Sequence, residues 1–207
     1  MADVSIPVKL VTWGDANRWS QEVSDEIKWS GYKVDVAIAL ARGGLAPTRL
    51  VADMLGIRDV ISIKVEHWFE TAEQDKVAEV KYGYKLDLSG KNVLIVDDIC
   101  DTGDSFVAAK KYVQENFNPK EVRTAALQYI KQTAKYEPDY YAYAAEEWAW
   151  MAYPWNYWED EINLVKKLLD SGKKKDDIDE EFQKSYGILP PIPTDMVFDE
   201  MDRRQKG

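Results

Sequence analysis

The sequence predicts an α/β fold: a parallel-sheet core with helices on both faces. Three observations lead there. Runs of Val, Ile, Leu and Ala at residues 34–40, 60–65, 93–96 and 122–130 are largely apolar rather than strictly alternating, as in strands buried on both faces. Segments with helically spaced apolar residues lie between these runs, and strands alternating with helices point to parallel βαβ units. Finally, Val93-Leu94-Ile95-Val96-Asp97-Asp98-Ile99-Cys100-Asp101-Thr102-Gly103-Asp104-Ser105 reads as a strand, a turn and the opening of a helix. In such sheets ligands sit beyond the C-terminal ends of the strands, where turns of this kind lie.

Taken in order, Thr12-Trp13-Gly14-Asp15 has the form of a capping box, with Asp in the place of Glu. Trp13, Ala16, Trp19, Val23 and Ile27 then form a helical stripe that Gly31 ends. The strand at 34–40 leads into a tight loop, Ala41-Arg42-Gly43-Gly44. A helix is expected over Leu45–Leu55, stopped by Gly56. The strand at 60–65 gives way to a polar stretch, 66–88, with no clear period. Ser89-Gly90-Lys91 turns into the strand at 93–96. A helix over 106–117 ends at Asn118-Pro119, and a further strand spans 122–130.

Beyond Trp155 the chain changes character. Residues 159–169 form an amphipathic helix through Ile162, Val165 and Leu168, and Lys173-Lys174-Lys175-Asp176-Asp177 is a solvated charge run. Leu189-Pro190-Pro191-Ile192-Pro193 excludes helix and central strand, and is expected to lie extended on the surface or on a neighbouring subunit.

Composition narrows the function. The chain has 207 residues, the length of one domain with an appendage or of one larger domain, and 45% of them are hydrophobic, enough for a full core. A formal net charge of −10 and a pI near 4.7 argue against a general nucleic-acid surface, which needs basic groups to replace counterions. Cys100 is the single cysteine, which rules out an internal disulfide framework and fits a reducing cytosol; its place in the turn speaks for packing. The start, Met1-Ala2-Asp3, lacks a basic leader region and no long apolar run follows, so a cytoplasmic protein without a membrane partner is expected. Of eight Trp, half lie between Trp148 and Trp158, a cluster that calls for a reason.

The strand-turn-helix unit is a phosphate cradle. Unpaired N–H groups of the turn and of the first helical turn converge on one spot and attract an anion. Asp97 and Asp98 repel that anion; they suit hydroxyls, a metal ion, or both. A ligand with a phosphate beside a diol is a ribose phosphate. Receiver domains also open on such a strand with paired carboxylates. They need the pair near the domain start and an Asp and a Lys at later strand ends, and they lack the Asp-Thr-Gly turn. An acidic loop without function is the other alternative.

The same run resembles the signature of the type I phosphoribosyltransferases, which bind 5-phosphoribosyl-1-diphosphate. The resemblance implies that family's fold, with a small hood over the core. It gives Asp97 and Asp98 to the ribose hydroxyls and Asp101, Thr102, Gly103, Asp104 and Ser105 to the 5′-phosphate. Residues 39–47, around Arg42-Gly43-Gly44, resemble the diphosphate loop of bacterial xanthine-guanine phosphoribosyltransferases, which implies Arg42 and Gly43 as contacts to the leaving diphosphate. Two glycines let backbone approach a ligand, and Arg matches a diphosphate in charge and geometry. In 6-oxopurine members an Asp at the place of Asp101 faces N7 of the base as general base or acceptor. A Lys at the place of Lys131 donates to the O6 carbonyl, a contact that adenine cannot accept. By alignment on Pro154-Trp155, Trp150 would stack on the purine and Met151 would read its edge; packing is the expectation for Trp148, Trp155 and Trp158. The family keeps a mobile loop where residues 66–88 lie, with Lys76 and Lys81 as diphosphate contacts and Lys64 as a weaker one. His67 is expected to be solvated or packed.

The implied domains are 1–155 for the transferase, with the core at about 34–131 and the hood at about 132–155, and 156–207 for an extension packed on the same domain or a neighbour. The implied reaction joins guanine, hypoxanthine or xanthine to 5-phosphoribosyl-1-diphosphate. Magnesium would be held by Asp98, directly or through water, and more weakly by Asp97, and a homodimer or homotetramer is expected. The rivals are a nucleotide-sensing regulator on the same fold and a transferase for another base.

Overall fold

The computed structural model describes residues 6–69 and 76–205, with the side chains of 67–69 and 76–77 outside the described set. It divides into two compact units, one formed by residues 14–147 and the other by 1–13 together with 148–207.

The larger unit is built on a six-stranded sheet: β2 (Val36–Ala41), β3 (Asp59–Phe69), β4 (Lys76–Lys81), β5 (Asn92–Cys100), β6 (Glu121–Ile130) and β7 (Tyr140–Ala145), in the order β4-β3-β2-β5-β6-β7. All neighbours are parallel except β3 and β4. The apolar runs seen in the sequence are the inner strands. On one face Val36, Ile38, Leu40, Val93 and Ile95 pack with Phe106, Ala109, Val113 and Phe117 of α3 (Asp104–Phe117). Ala37, Ala39, Leu94 and Val96, which point the other way, are buried as well. There α2 (Leu45–Leu55) lies on β2 and β5. Helix α1 (Trp13–Trp29) lies beside α2, with Ser24 Oγ 3.7 Å from Met54 Sδ and the Trp19 ring stacked on Tyr143 of β7 at 6.0 Å. The fold is therefore α/β with a mostly parallel sheet covered on both faces, as expected.

Three details differ from the sequence reading. The polar stretch after residue 65 is in part strand. β3 runs on through Phe69 and pairs antiparallel with β4, so charged residues form an edge hairpin whose turn lies outside the described residues. The strand β5 continues through Cys100 instead of ending at Val96, so the acidic pair sits within the ladder, with Asp97 opposite Ala126 of β6. β7, rich in Tyr and Ala, was not foreseen.

The smaller unit holds β1 (Val8–Leu10), β8 (Trp150–Ala152), α4 (Tyr157–Asp170), α5 (Ile178–Tyr186) and α6 (Thr194–Gln205). β1 and β8 pair parallel. Val8, Ala152, Leu164, Val165, Leu168, Phe182, Tyr186 and Val197 form its core. The Pro-rich segment keeps Leu189 and Pro193 exposed but is anchored at one residue: Ile192 is buried in this core, and its N–H donates to Oε2 of Glu161 at 2.9 Å. The helix α6 follows it. Among the described residues no helix is long and apolar enough to cross a membrane.

Candidate active site

The strand order reverses between β2 and β5: from β2 the chain moves outward to β3, and from β5 it moves the opposite way to β6 and β7. The loops leaving β2 and β5 diverge at that point and open a crevice, the usual ligand position in such sheets. The two segments singled out in the sequence, 41–44 and 101–105, are those loops.

The first loop lies directly on the end of β5. A Cβ on Gly43 would come within 2.5 Å of the Asp98 carboxylate, and one on Gly44 within 2.8 Å of the Leu40 carbonyl and closer still to that of Val96. Both glycines are thus demanded by protein packing, whereas the sequence reading gave them to ligand approach. The Ala41–Arg42 peptide bond is cis, and Arg42 is exposed.

Asp97 and Asp98 are consecutive in β5, and the Asp98 N–H donates to Asp97 Oδ1 at 3.0 Å. Burial, and next the Asp98 carboxylate beside it, hold the Asp97 carboxyl well above the usual carboxylate range; the N–H groups of Asp98 and Gly44 pull the other way. The pair offers carboxylate oxygens, the donor class for a hard divalent cation. Among the described residues no cluster of three acidic, His or Cys side chains could hold a metal alone. Magnesium usually takes one or two carboxylates together with waters and substrate phosphates, so the pair fits an ion that arrives on the substrate.

The second loop lines a cavity of about 350 Å³, with Asp97 and residues 99–106 on its walls. Gly103 has φ 89°, a left-handed conformation, and a Cβ there would strike Tyr136 Cβ at 2.5 Å. It caps α3, so the first N–H groups of that helix open on the loop. Asp104, in the first turn, accepts from Thr102 Oγ1 at 2.8 Å, and its N–H lies 3.3 Å from the same hydroxyl. The Cys100 thiol is buried, donates to the Tyr136 carbonyl at 3.3 Å, and is pushed up to about 12 by burial and by the carboxylates of Asp97, Asp101 and Asp104. It is a packing group, since the thiolate needed for reactivity is suppressed.

Asp101 accepts a short hydrogen bond from Thr133 Oγ1, which is also 3.2 Å from the Asp101 carbonyl. Nothing in the sequence pointed to Thr133, an ordinary turn residue. Lys131 stands one residue past β6, as expected. Its ammonium bonds Glu146 Oε1 at 2.7 Å, and that carboxylate raises its affinity for the proton. Lys64 and Lys81 both pair with Glu66, Lys81 at 2.6 Å. Lys76 begins β4; its side chain, like that of His67, lies outside the described residues.

Trp150 and Met151 belong to the smaller unit, in β8. The Trp150 N–H donates to the Pro7 carbonyl at 2.8 Å. Alternation puts its indole on the same face as Ala152, toward α4. There it lines a cavity of about 360 Å³ with Trp148, Asn163, Lys166 and Lys167. Trp155 stacks on Tyr153 at 4.8 Å and meets the edge of Trp13 at 5.6 Å, a packing role.

Comparison with known proteins gives concordant results. A family model described as a phosphoribosyl transferase domain matches residues 14–160. The chain is similar to a purine phosphoribosyltransferase from Pyrococcus horikoshii, 29% identical over 72% of this chain and 94% of that one, with a TM-score of 0.62. It is also similar to a hypothetical protein from Neisseria gonorrhoeae with bound ppGpp, 25% identical over 81% and 98% of the two chains, TM-score 0.63. A Helicobacter pylori xanthine-guanine-hypoxanthine phosphoribosyltransferase shares the fold at 22% identity over 77% and 99%, TM-score 0.61.

Proposed function

We propose that this chain, which belongs to the phosphoribosyl transferase family, is a purine phosphoribosyltransferase that joins a 6-oxopurine to 5-phosphoribosyl-1-diphosphate. The observation that carries this is the meeting of three parts at the β2–β5 crevice: the Arg42-Gly43 loop, the Asp97-Asp98 pair and the loop 101–105. The purine phosphoribosyltransferase from Pyrococcus horikoshii supports a purine as acceptor. The Neisseria gonorrhoeae relative with bound ppGpp supports a site that accepts a guanine nucleotide.

In this reading the turn N–H groups and the N-terminus of α3 hold the 5′-phosphate. Asp97 and Asp98 take the ribose diol, and Gly43, pressed on Asp98, brings the diphosphate loop against the same sugar. Arg42 and Lys76 receive the leaving diphosphate. Asp101 accepts the proton or hydrogen bond of N7 as the C–N bond forms. Lys131 donates to O6; Trp150 and Met151, to which the resemblance gives stacking and edge recognition, belong to the smaller unit, where Trp150 lines the cavity beside α4. Magnesium, when bound through Asp98 and more weakly Asp97, supplies positive charge to the diphosphate. The residues beyond 155 are an extension for which subunit contacts are the proposal, and a cytoplasmic homo-oligomer acting in purine salvage goes with this reading.

The experiment is an assay with magnesium, 5-phosphoribosyl-1-diphosphate and each of guanine, hypoxanthine, xanthine, adenine and uracil. Nucleotide from the first three alone supports the proposal. Binding of the sugar diphosphate with no nucleotide from any base favours the regulator, and turnover of uracil or adenine a different acceptor.

A further inference from the structure

The loop after β6 holds the loop after β5 at four places. Thr133 Oγ1 bonds the carboxylate of Asp101 and lies 3.2 Å from its carbonyl. The Lys135 N–H donates to the Thr102 carbonyl at 2.9 Å. The Cys100 thiol donates to the Tyr136 carbonyl at 3.3 Å. Gly103 is packed on Tyr136 so closely that a Cβ would collide at 2.5 Å, and the Tyr136 ring stacks on Phe106 at 6.0 Å. Two of these contacts hold backbone of the loop, and one holds the Cys100 thiol. The one that reaches a side chain of the proposed chemistry is Thr133.

We propose that Thr133 is a positioning residue that fixes the Asp101 carboxylate for its work on N7 of the base. This rests on the general-base reading of Asp101. A hydroxyl donates one proton, and of the two oxygens it faces, the carboxylate oxygen gives the stronger, charge-assisted bond. Thr133 is itself held: its N–H and that of Ala134 both turn back to the Ile130 carbonyl, at 3.3 and 3.0 Å. Its branched Cβ restricts χ1, so the hydroxyl is delivered in one direction. Asp101 therefore takes its pose from the neighbouring loop.

That neighbouring loop also carries Lys131, two residues before Thr133. N7 and O6 lie on one edge of a 6-oxopurine. One short turn then sets both the acceptor for N7, through Thr133, and the donor for O6, through Lys131. The Thr133 hydroxyl that holds Asp101 and the Lys131 ammonium thus come from the same turn.

The test compares Thr133→Val and Thr133→Ser with wild type, with Asp101→Asn and with the Thr133→Val/Asp101→Asn double variant. Thr133→Val should lower kcat about 10- to 100-fold, the cost of a carboxylate misplaced by about 1 Å, while KM for the sugar diphosphate stays within about twofold. Thr133→Ser should restore most of kcat. In the Asp101→Asn background, Thr133→Val should have no further effect, since the group it positions is gone. Should Thr133→Val not fold, Thr133→Ala read against Thr133→Ser carries the same comparison. A slow Asp101→Asn variant with undiminished kcat in Thr133→Val, or an equal loss in both backgrounds, overturns the proposal and leaves the base reading standing. A wild-type-like Asp101→Asn variant overturns the base reading, and this proposal with it.

Discussion

The Lys131 ammonium rests 2.7 Å from Oε1 of Glu146, across the paired ends of β6 and β7. Both side chains are substantially solvent-exposed, 46% and 75%, so the pair is a surface ion pair that costs little to open. In the proposed complex the ammonium would be free to turn from Glu146 to the purine carbonyl. Lys131→Gln should lower kcat/KM for guanine, hypoxanthine and xanthine by about one to two orders of magnitude. Sugar-diphosphate binding should be little changed. Adenine should be a negligible substrate of the wild type. Steady-state kinetics with each base checks this, and a wild type that uses adenine as well as guanine would remove the reason for placing Lys131 at O6.

Asp101→Asn keeps the size of the side chain and removes the proposed base. Nucleotide formation should slow by about two to four orders of magnitude, with calorimetric affinity for the sugar diphosphate nearly intact. Turnover at the wild-type rate would end the assignment.

Gly43 and Gly44 should behave differently despite being neighbours. A methyl at Gly43 meets a side chain, the Asp98 carboxylate at 2.5 Å; one at Gly44 meets backbone carbonyls, Leu40 at 2.8 Å among them. Gly43→Ala should push Asp98 aside, raising KM for the sugar diphosphate with a small change in melting temperature. Gly44→Ala should destabilise the fold by about 1–3 kcal/mol, the usual cost of overpacking. Thermal denaturation beside kinetics separates the two; equal loss of stability in both would contradict the distinction.

Activity should require a divalent cation. Excess chelator should abolish turnover and magnesium should restore it. Full turnover in chelator would exclude a metal at Asp97 and Asp98.

The Glu161 carboxyl is 1% exposed, and burial is the larger cause that raises it to about 7; the Ile192 N–H lowers it and Asp179 raises it. The folded protein thus holds this proton where the unfolded chain has released it. The stabilising contribution is complete below the unfolded value, near 4.5, and is lost as pH rises through about 7. Glu161→Gln should therefore be more stable than wild type at pH 8, by about 1–3 kcal/mol, and the gain should vanish toward pH 4.5. Urea melts at the two pH values give the result; a constant difference would show that the proton is not involved.

Much of this was legible because burial leaves a plain mark on sequence. Residues 93–96 are apolar because both faces of β5 are covered, and the Gly-containing turn after them marks the crevice. β7 left no such mark. Its Tyr and Ala residues are half-buried on an edge, without the Val and Ile that signal a strand. β1 is three residues long and is a strand only through β8, some 140 residues on, a pairing that no local pattern encodes. In α6 only Val197 is buried, too little for a stripe, although Thr194 after Pro193 was a usable helix-start signal. The partners Thr133 and Glu146 were invisible for a related reason: each meets its functional neighbour across a strand pair, at 32 and 15 residues' distance.

The pairing of β1 with β8 also sets an order of events during synthesis. β1 leaves the ribosome some 140 residues before its partner strand, and before the helices that bury Val8. Residues 14–147 have their full set of sheet partners before Trp150 is added. At about 5–20 residues per second, β1 waits roughly 7–30 s for β8. Through that interval Val8 lacks the core partners Ala152, Leu164, Val165 and Leu168, so β1 is among the last of the described strands to fold.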